Sequence, residues 1–145
     1  MADYDLIVWD ERLVTGIDKI DEQHQILINL FNEANTKLTA DNSAEFLEYI
    51  TRDLLSYALY HFETEEQLMQ QYGYVEEANA HIQQHRSFSA KVVAVRNDIK
   101  AGMLISREEL LSFLNGWLID HILNTDKRLA AFLLASKDYL AKRGG

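Results

Sequence analysis

The chain has 145 residues, of which 48% are apolar, and it contains neither proline nor cysteine; this length suits one domain with a single buried core. The absence of cysteine excludes disulfides, thiolate metal sites and a cysteine nucleophile, so any metal ion must be held by nitrogen and oxygen atoms. The formal net charge of −9 argues against a nucleic-acid partner, because no basic patch is present to neutralise phosphates.

No stretch of the sequence approaches the roughly 18 uninterrupted apolar residues of a membrane-spanning helix, so we expect no membrane partner. The N-terminal segment MADYDLIVWDERL, residues 1–13, is acidic, whereas a secretory signal would be basic and then apolar. We therefore expect a cytoplasmic protein that consists of one domain over residues 1–145.

Four long segments carry apolar residues at every third or fourth position, which is the pattern of a helix with one buried face. Strand signals, such as alternating β-branched residues or Asn-Gly hairpin turns, are absent from the sequence. In chain order, the predicted helices cover residues 18–38, 43–72, 75–101 and 106–128, and a helical tail follows to about residue 140. Four helices joined by short loops must alternate in direction, so we predict an all-α protein with an up-down-up-down four-helix bundle.

The predicted helix boundaries depend on capping residues. Asn42 or Ser43 is suited to begin the second helix, because the side-chain oxygen can accept a hydrogen bond from the first turn. Gly73 and Gly102 are placed to end the second and third helices in a left-handed conformation. The fourth helix begins at Ser-Arg-Glu-Glu, residues 106–109, which has the form of a capping box.

All five histidines of the sequence lie on the predicted buried faces of these helices, together with two carboxylates. A single histidine on such a face is more often an ordinary core residue, but here that interpretation must hold five times. Burying an isolated carboxylate costs several kcal/mol, and no lysine or arginine lies on these faces to pair with either one. A metal would supply the missing charge, and the predicted ligands are His24, His61, Glu65, His81, His85, His121 and Asp126.

The predicted bundle also places these seven side chains at a similar depth. Counted from the end that holds the first and third loops, they fall within a slab of roughly 12 Å, at a rise of about 1.5 Å per residue. The pairs His61 with Glu65 and His81 with His85 are each spaced by four residues, so each pair lies on one helix face. From the opposite end the fourth helix is too long, and we predict that the chain after about residue 128 breaks or runs past the bundle.

The spacing of the last two ligands does not fit a regular α-helix. His121 and Asp126 are five residues apart, which would splay their side chains by about 140°. The apolar pattern skips to a step of five at the same point. Both observations predict a one-residue π-bulge near Asn124–Thr125, a feature that is associated with functional sites.

Seven protein ligands are too many for one ion, which indicates a di-metal site in the core. Imidazole with carboxylate suits iron, and also zinc or copper. If both carboxylates bridge two six-coordinate ions that also share an oxo or hydroxo group, six histidines would complete the coordination. Five histidines are present, so one ion would keep an open position for a small ligand.

The ligand pattern H24…H61-xxx-E65…H81-xxx-H85…H121-xxxx-D126, with IDEQH at residues 20–24, resembles that of the hemerythrin family, and in particular its single-domain bacterial members. The resemblance covers the chain from about Trp9 to Ala130, and no ligand position departs from it. It implies two iron ions per chain, bridged by an oxo or hydroxo group, and reversible binding of dioxygen for carriage, storage or delivery. It implies no catalytic residue.

Carried over by position, the resemblance implies that His81, His85 and His121 hold one iron. His24 and His61 would hold the other iron, which has the open position, and the two carboxylates would bridge the pair. The residues that would line the dioxygen pocket are Leu27, Phe62, Trp117, Leu118 and Leu123.

Three other functions are compatible with buried histidines and carboxylates. Di-iron oxidases or peroxidases of the ferritin-like kind use Glu-x-x-His pairs, and no such pair occurs here. A metallohydrolase would show His-Glu-x-x-His, which is also absent. A sensory or scavenging module for oxygen, nitric oxide or iron remains open. We expect a binding protein rather than an enzyme, with dioxygen as its ligand and an oxygen-consuming enzyme as a candidate recipient.

Overall fold

The structure, a computed structural model, describes residues 6–40 and 43–143, and these ranges contain no strand. A 3₁₀ turn at Glu11–Leu13 precedes the first long helix. In chain order the helices are α1 (Asp18–Ala40), α2 (Ala44–Tyr72), α3 (Ala78–Lys100), α4 (Arg107–Asp120), a π-helix (His121–Asp126), α5 (Lys127–Leu134) and α6 (Lys137–Arg143). The predicted up-down-up-down four-helix bundle is confirmed, and α4, the π-helix and α5 together form its fourth helix.

The capping residues act largely as the sequence predicts. The Ser43 side chain accepts a hydrogen bond from the first turn of α2, and Ser106 does the same for α4. Asn42, the alternative cap for α2, lies outside the described residues. Gly73 ends α2 in the left-handed conformation, with φ of 77°, and Gly102, with φ of 80°, follows α3. These positions favour glycine because a Cβ atom is strained at positive φ.

Helix α3 begins at Ala78, three residues later than the predicted start at residue 75. The cause is Tyr74, whose ring is buried and packs against Phe132 with 5.0 Å between the ring centroids. The Tyr74 backbone N–H donates to the Met69 carbonyl, and its hydroxyl donates to Glu77. A tertiary contact thus holds the turn, and local helix propensity does not decide where α3 begins.

The fourth helix continues beyond residue 128, after which the sequence predicts that the chain breaks or runs past the bundle. Helical structure persists to Leu134, and the chain then turns at Ala135 before α6. Leu129 and Leu133 are fully buried in this extension, and Tyr139 of α6 is buried beside them. The extra turns therefore pack against the bundle and close one of its ends.

In the described part of the chain, two apolar clusters form the core, one on each side of a polar layer. The larger cluster includes Leu27, Phe62, Phe88 and Leu118, and the smaller one is built from Ile17, Ile20, Met69, Tyr74, Leu129, Ala130, Leu133 and Tyr139. On α1, α2 and the fourth helix, the predicted ligands fall in sequence between members of the two clusters. Among the described residues, no helix is long and apolar enough to cross a membrane.

Candidate metal centre

The structure brings all seven predicted ligands together, and none of them is more than 2% exposed. Their donor atoms form two groups, and within each group the atoms lie within 4.8 Å of one another. The two carboxylates belong to both groups. One group is Glu65, His81, His85, His121 and Asp126, and the other is His24, His61, Glu65 and Asp126.

In the first group, the Nε2 atoms of three histidines face the carboxylate oxygens. His121 Nε2 lies 2.9 Å from Asp126 Oδ1, and His81 Nε2 lies 3.0 Å from the same oxygen. His85 Nε2 lies 3.0 Å from Glu65 Oε1. Three imidazoles from α3 and the π-helix therefore converge on one side of the carboxylate pair.

In the second group, two histidines approach the same carboxylates from the other side. His24 Nε2 lies 2.7 Å from Asp126 Oδ2 and 4.0 Å from Glu65 Oε2. His61 Nε2 lies 3.5 Å from Glu65 Oε1. Asp126 thus presents one oxygen to each group, which is the arrangement of a carboxylate that bridges two ions.

The π-helix accounts for the position of Asp126. The prediction of a π-bulge near Asn124–Thr125 is confirmed, and the π geometry extends over His121–Asp126. Because hydrogen bonds in a π-helix join residues five apart, the two end residues come onto one face. The 2.9 Å contact between His121 Nε2 and Asp126 Oδ1 follows from this local geometry.

The donor atoms fit a pair of cations. Within the described ranges, several buried polar atoms of the layer make no hydrogen bond of suitable geometry, even where a nitrogen and an oxygen are in close contact. They are both ring nitrogens of His24 and His81, His61 Nε2, Glu65 Oε2 and both carboxylate oxygens of Asp126. A buried polar atom without a partner costs about 1–3 kcal/mol. Imidazole nitrogens and carboxylate oxygens are suitable ligands for iron and related ions, and such ions would satisfy these atoms together.

With the protein groups alone, the pKa values of the two buried carboxylates shift in opposite directions. Burial, followed by repulsion from Asp126, raises the pKa of Glu65 well above its usual range. Burial also acts to raise the pKa of Asp126, but its contacts with His121 and His24 outweigh this and hold that pKa well below its usual range. The layer therefore accommodates a second negative charge poorly unless cations are bound.

The histidines of the first group also differ from one another. Burial, and then repulsion from His121 and His81, lowers the pKa of His85 to about 2, which keeps its ring neutral. Burial acts to lower the pKa of His121 as well, but Asp126 and Glu65 outweigh it and raise this pKa to about 9. A metal ion binds the neutral ring, so binding at His121 displaces a proton.

Three polar side chains accept hydrogen bonds from the outer nitrogens, Nδ1, of the histidines, and none of the three is predicted from the sequence. Gln23 Oε1 lies 2.7 Å from His61 Nδ1, and Gln84 Oε1 lies 2.9 Å from His121 Nδ1. Glu66 Oε2 lies 2.8 Å from the corresponding atom of His85. We call these three residues the outer acceptors. Each is directly next to a predicted ligand in the sequence, which makes it a candidate partner but does not show where its side chain points.

The outer acceptors fix which nitrogen of each ring points inward. A carboxylate or an amide oxygen can only accept, so the Nδ1 atom carries the hydrogen and Nε2 offers its lone pair to the centre. Two of the acceptors are themselves held in place: Gln23 donates to Thr64 Oγ1 at 3.1 Å, and Gln84 accepts from Thr125 Oγ1 at 2.8 Å.

The five residues predicted to line a dioxygen pocket lie in or against the larger apolar cluster. The Phe62 ring stacks on His85, with centroids 4.0 Å apart, and the Trp117 ring stacks on His121 at 4.4 Å. Leu27 and Leu118 are buried in the cluster, and Leu123 is partly buried against it. The residues thus form an apolar side to the polar layer, and their role as a ligand pocket stays a prediction.

A cleft of about 350 Å³ opens to the surface over His85. Its lining residues are Leu59, Phe62, Glu63, Glu66, His85, Arg86 and Ser89. Burial raises the pKa of Glu66 above its ordinary value, and the nearby Arg86 opposes that shift. One outer acceptor therefore lies between a predicted ligand and solvent.

Comparison with known proteins shows one family. The domain described as "Hemerythrin HHE cation binding domain" matches residues 15–133. A bacteriohemerythrin of Stenotrophomonas maltophilia (strain R551-3) is 35% identical over 137 residues, which cover 94% of this chain and 88% of that protein. A myohemerythrin of Theromyzon tessulatum is 25% identical over 118 residues, covering 81% and 86%. A crystal structure of wild-type hemerythrin shares the fold, with a TM-score of 0.81 and 24% identity over 90% of this chain and 100% of that one.

Proposed function

The chain belongs to the hemerythrin family, and from this premise we propose that it binds dioxygen reversibly at a pair of iron ions. The observation that supports this proposal is the division of the buried donors into two groups that share both carboxylates. Three histidines in one group can complete the coordination of one iron. The second group has only two, which leaves a position for an exogenous ligand.

The ligands are assigned as the resemblance implies. His81, His85 and His121 would hold one iron, and His24 and His61 would hold the other. Glu65 and Asp126 would be shared by the two ions, with an oxo or hydroxo group as a further ligand between them. When bound in the ferrous state, the iron pair supplies an exchangeable coordination position and the electrons on which dioxygen binding depends.

The protein residues favour binding over oxygen activation. Five neutral imidazoles and two carboxylates make a less electron-rich ligand set than the carboxylate-dominated sites of ferritin-like oxidases. The apolar side of the layer, which includes Phe62 and Trp117, would exclude water and protons that promote irreversible oxidation. We therefore assign the chain a carriage, storage or delivery role rather than an enzymatic one.

The domain organisation of the chain, its location and the recipient of the dioxygen are part of the same proposal. Residues 1–145 act as one domain in the cytoplasm, and the recipient of the dioxygen is an oxygen-consuming enzyme. Among the described residues, the single bundle with its buried polar layer supports the one-domain organisation, and the acidic composition offers nucleic acid no basic patch.

The test is an optical titration of the ferrous protein. Metal-free protein is loaded with iron under argon, its iron content is measured, and visible spectra are recorded under argon, in air and again under argon. We expect two irons per chain and a charge-transfer band that appears in air and fades on purging. The His61→Ala variant should lose the band, whereas Tyr60→Phe, at an exposed neighbouring position, should keep it.

Two results would contradict the proposal. If the band formed in air but returned only after a reductant was added, an oxidase or a sensor would explain the site better. If the loaded protein held one metal ion or none, the seven buried donors would have another role.

A further inference from the structure

The three outer acceptors are not equivalent in charge. His61 and His121 each donate to the neutral amide of a glutamine, whereas His85 donates to the carboxylate of Glu66 at 2.8 Å. Among the described residues, Nδ1 atoms of the other two ligand histidines have no hydrogen-bond partner. Among the described residues, a carboxylate therefore accepts from the outer nitrogen of one of the five rings, and that ring belongs to the group with three histidines.

The position of the His85 ring is determined from two directions. Phe62 stacks on one face of the ring with an interplanar angle of 9°, and Glu66 holds the Nδ1 edge. Because Glu66 is on α2 and His85 is on α3, this hydrogen bond also joins the two helices. Loss of the carboxylate would leave a buried N–H without an acceptor and would release the ring to adopt the other tautomer.

The charge of Glu66 also affects how strongly the His85 ring donates electrons to a bound metal ion. A carboxylate that accepts a hydrogen bond from a ligating imidazole raises the basicity of the ring, and such partners commonly change metal affinity 10- to 100-fold. A more basic ligand stabilises the ferric ion relative to the ferrous ion. The iron held by three histidines should therefore be the more readily oxidised of the two.

We infer that Glu66 is a positioning residue that fixes the tautomer of His85 and makes the two iron sites unequal in reduction potential. This inference rests on the proposed di-iron function. It assigns a specific task to a side chain that is 37% exposed and lines the surface cleft over His85. The potential of the buried pair is thereby coupled to the charge of the Glu66 carboxylate itself.

The chain offers a matched control for the test. Glu63 lines the same cleft and lies on the same helix, and it accepts a hydrogen bond from Gln67 rather than from a histidine. Glu63→Gln therefore removes the same charge from the same cleft without touching a ligand. Glu66→Gln keeps an acceptor for His85 and removes the charge, and Glu66→Ala removes both.

Two measurements separate positioning from charge. In the metal-free protein, ¹⁵N NMR should show His85 protonated at Nδ1 in the wild type and in E66Q, and a mixture of tautomers in E66A. In the iron-loaded protein, the reduction potential should rise in E66Q and stay at the wild-type value in E63Q. Iron(II) affinity should fall about tenfold or more in E66A, and by less in E66Q.

The inference is overturned if E66A leaves both the tautomer and the iron affinity unchanged, or if E66Q and E63Q have the same potential. The NMR measurement needs no iron. If the wild type failed to hold an iron pair, the proposed function would fail, while the tautomer of His85 would still confirm or refute the positioning role.

Discussion

Replacing Gln84 with alanine would remove the acceptor that joins α3 to the π-helix. Gln84 Oε1 accepts from His121 Nδ1 at 2.9 Å and from Thr125 Oγ1 at 2.8 Å. Both donors belong to residues that are no more than 3% exposed, so water replaces the lost oxygen poorly. Each buried donor left without a partner costs about 1–3 kcal/mol. Because Gln84 itself is only partly buried, we expect a loss of about 2–3 kcal/mol in the free energy of unfolding.

The assay is urea denaturation of the metal-free protein, with Gln83→Ala as the control. Gln83 is exposed on the same helix, and its replacement should change stability by less than about 0.5 kcal/mol. A double-mutant cycle that combines Gln84→Ala with Thr125→Val should give a coupling energy of about 0.5–3 kcal/mol. If Gln84→Ala lowered the free energy of unfolding no more than Gln83→Ala, the hydrogen bonds of Gln84 with His121 and Thr125 would not stabilise the contact between α3 and the π-helix.

Three further predictions test other parts of the structure. Asp126→Asn should lower the iron content below two per chain, because an amide bridges two ions poorly; elemental analysis checks this against Asp138→Asn, at an exposed position. Phe62→Ala should destabilise the protein by about 3–5 kcal/mol, because it empties a buried aromatic site, and it should speed loss of the oxygen-dependent band. Burial and then the bond to Glu77 raise the pKa of Tyr74 from 10.0 to about 12; the associated stability is full below pH 10 and is lost as the pH rises towards 12. Urea unfolding between these pH values should therefore show a steeper decline in the wild type than in Tyr74→Phe.

The burial and convergence of the seven predicted ligands could be predicted from the sequence because each one interrupts an apolar pattern of regular spacing. His24 falls between Ile20 and Leu27, which the structure places in different apolar clusters. His121 and Asp126 break the pattern with a step of five, and the π-helix is the backbone conformation that accommodates this step. Periodicity indicates which face of a helix is buried, and the predicted ligands are on that face.

The outer acceptors could not be predicted in the same way. Gln23 and Gln84 are adjacent to ligands, but a residue next to a buried position can point to solvent or to the neighbouring helix. Which of these occurs depends on how the helices are rotated about their axes. Gln84 reaches His121 and Thr125 only because α3 packs beside the π-helix, and the spacing within one helix carries no information on that contact.

The start of α3 shows a different limit of sequence reasoning. The segment before Ala78 has no proline or glycine after Gly73, so its composition alone permits an earlier start. The buried Tyr74 ring, packed against Phe132 nearly sixty residues away in the sequence, prevents it. Burial of a large aromatic side chain outweighs the small differences in helix propensity among the residues of the turn.

Apolar burial also explains how a layer with two carboxylates can occupy the centre of the bundle. Above and below the layer, helix propensity and apolar packing stabilise the bundle, and Phe62 and Leu129 are almost fully buried there. Inside the layer, the contacts that lower the pKa of Asp126 do not relieve Glu65, whose pKa is raised. The apolar clusters therefore stabilise a fold whose central charges they cannot compensate, and bound cations would supply that compensation. On this argument, the two clusters determine the bundle, and the polar layer determines what the bundle binds.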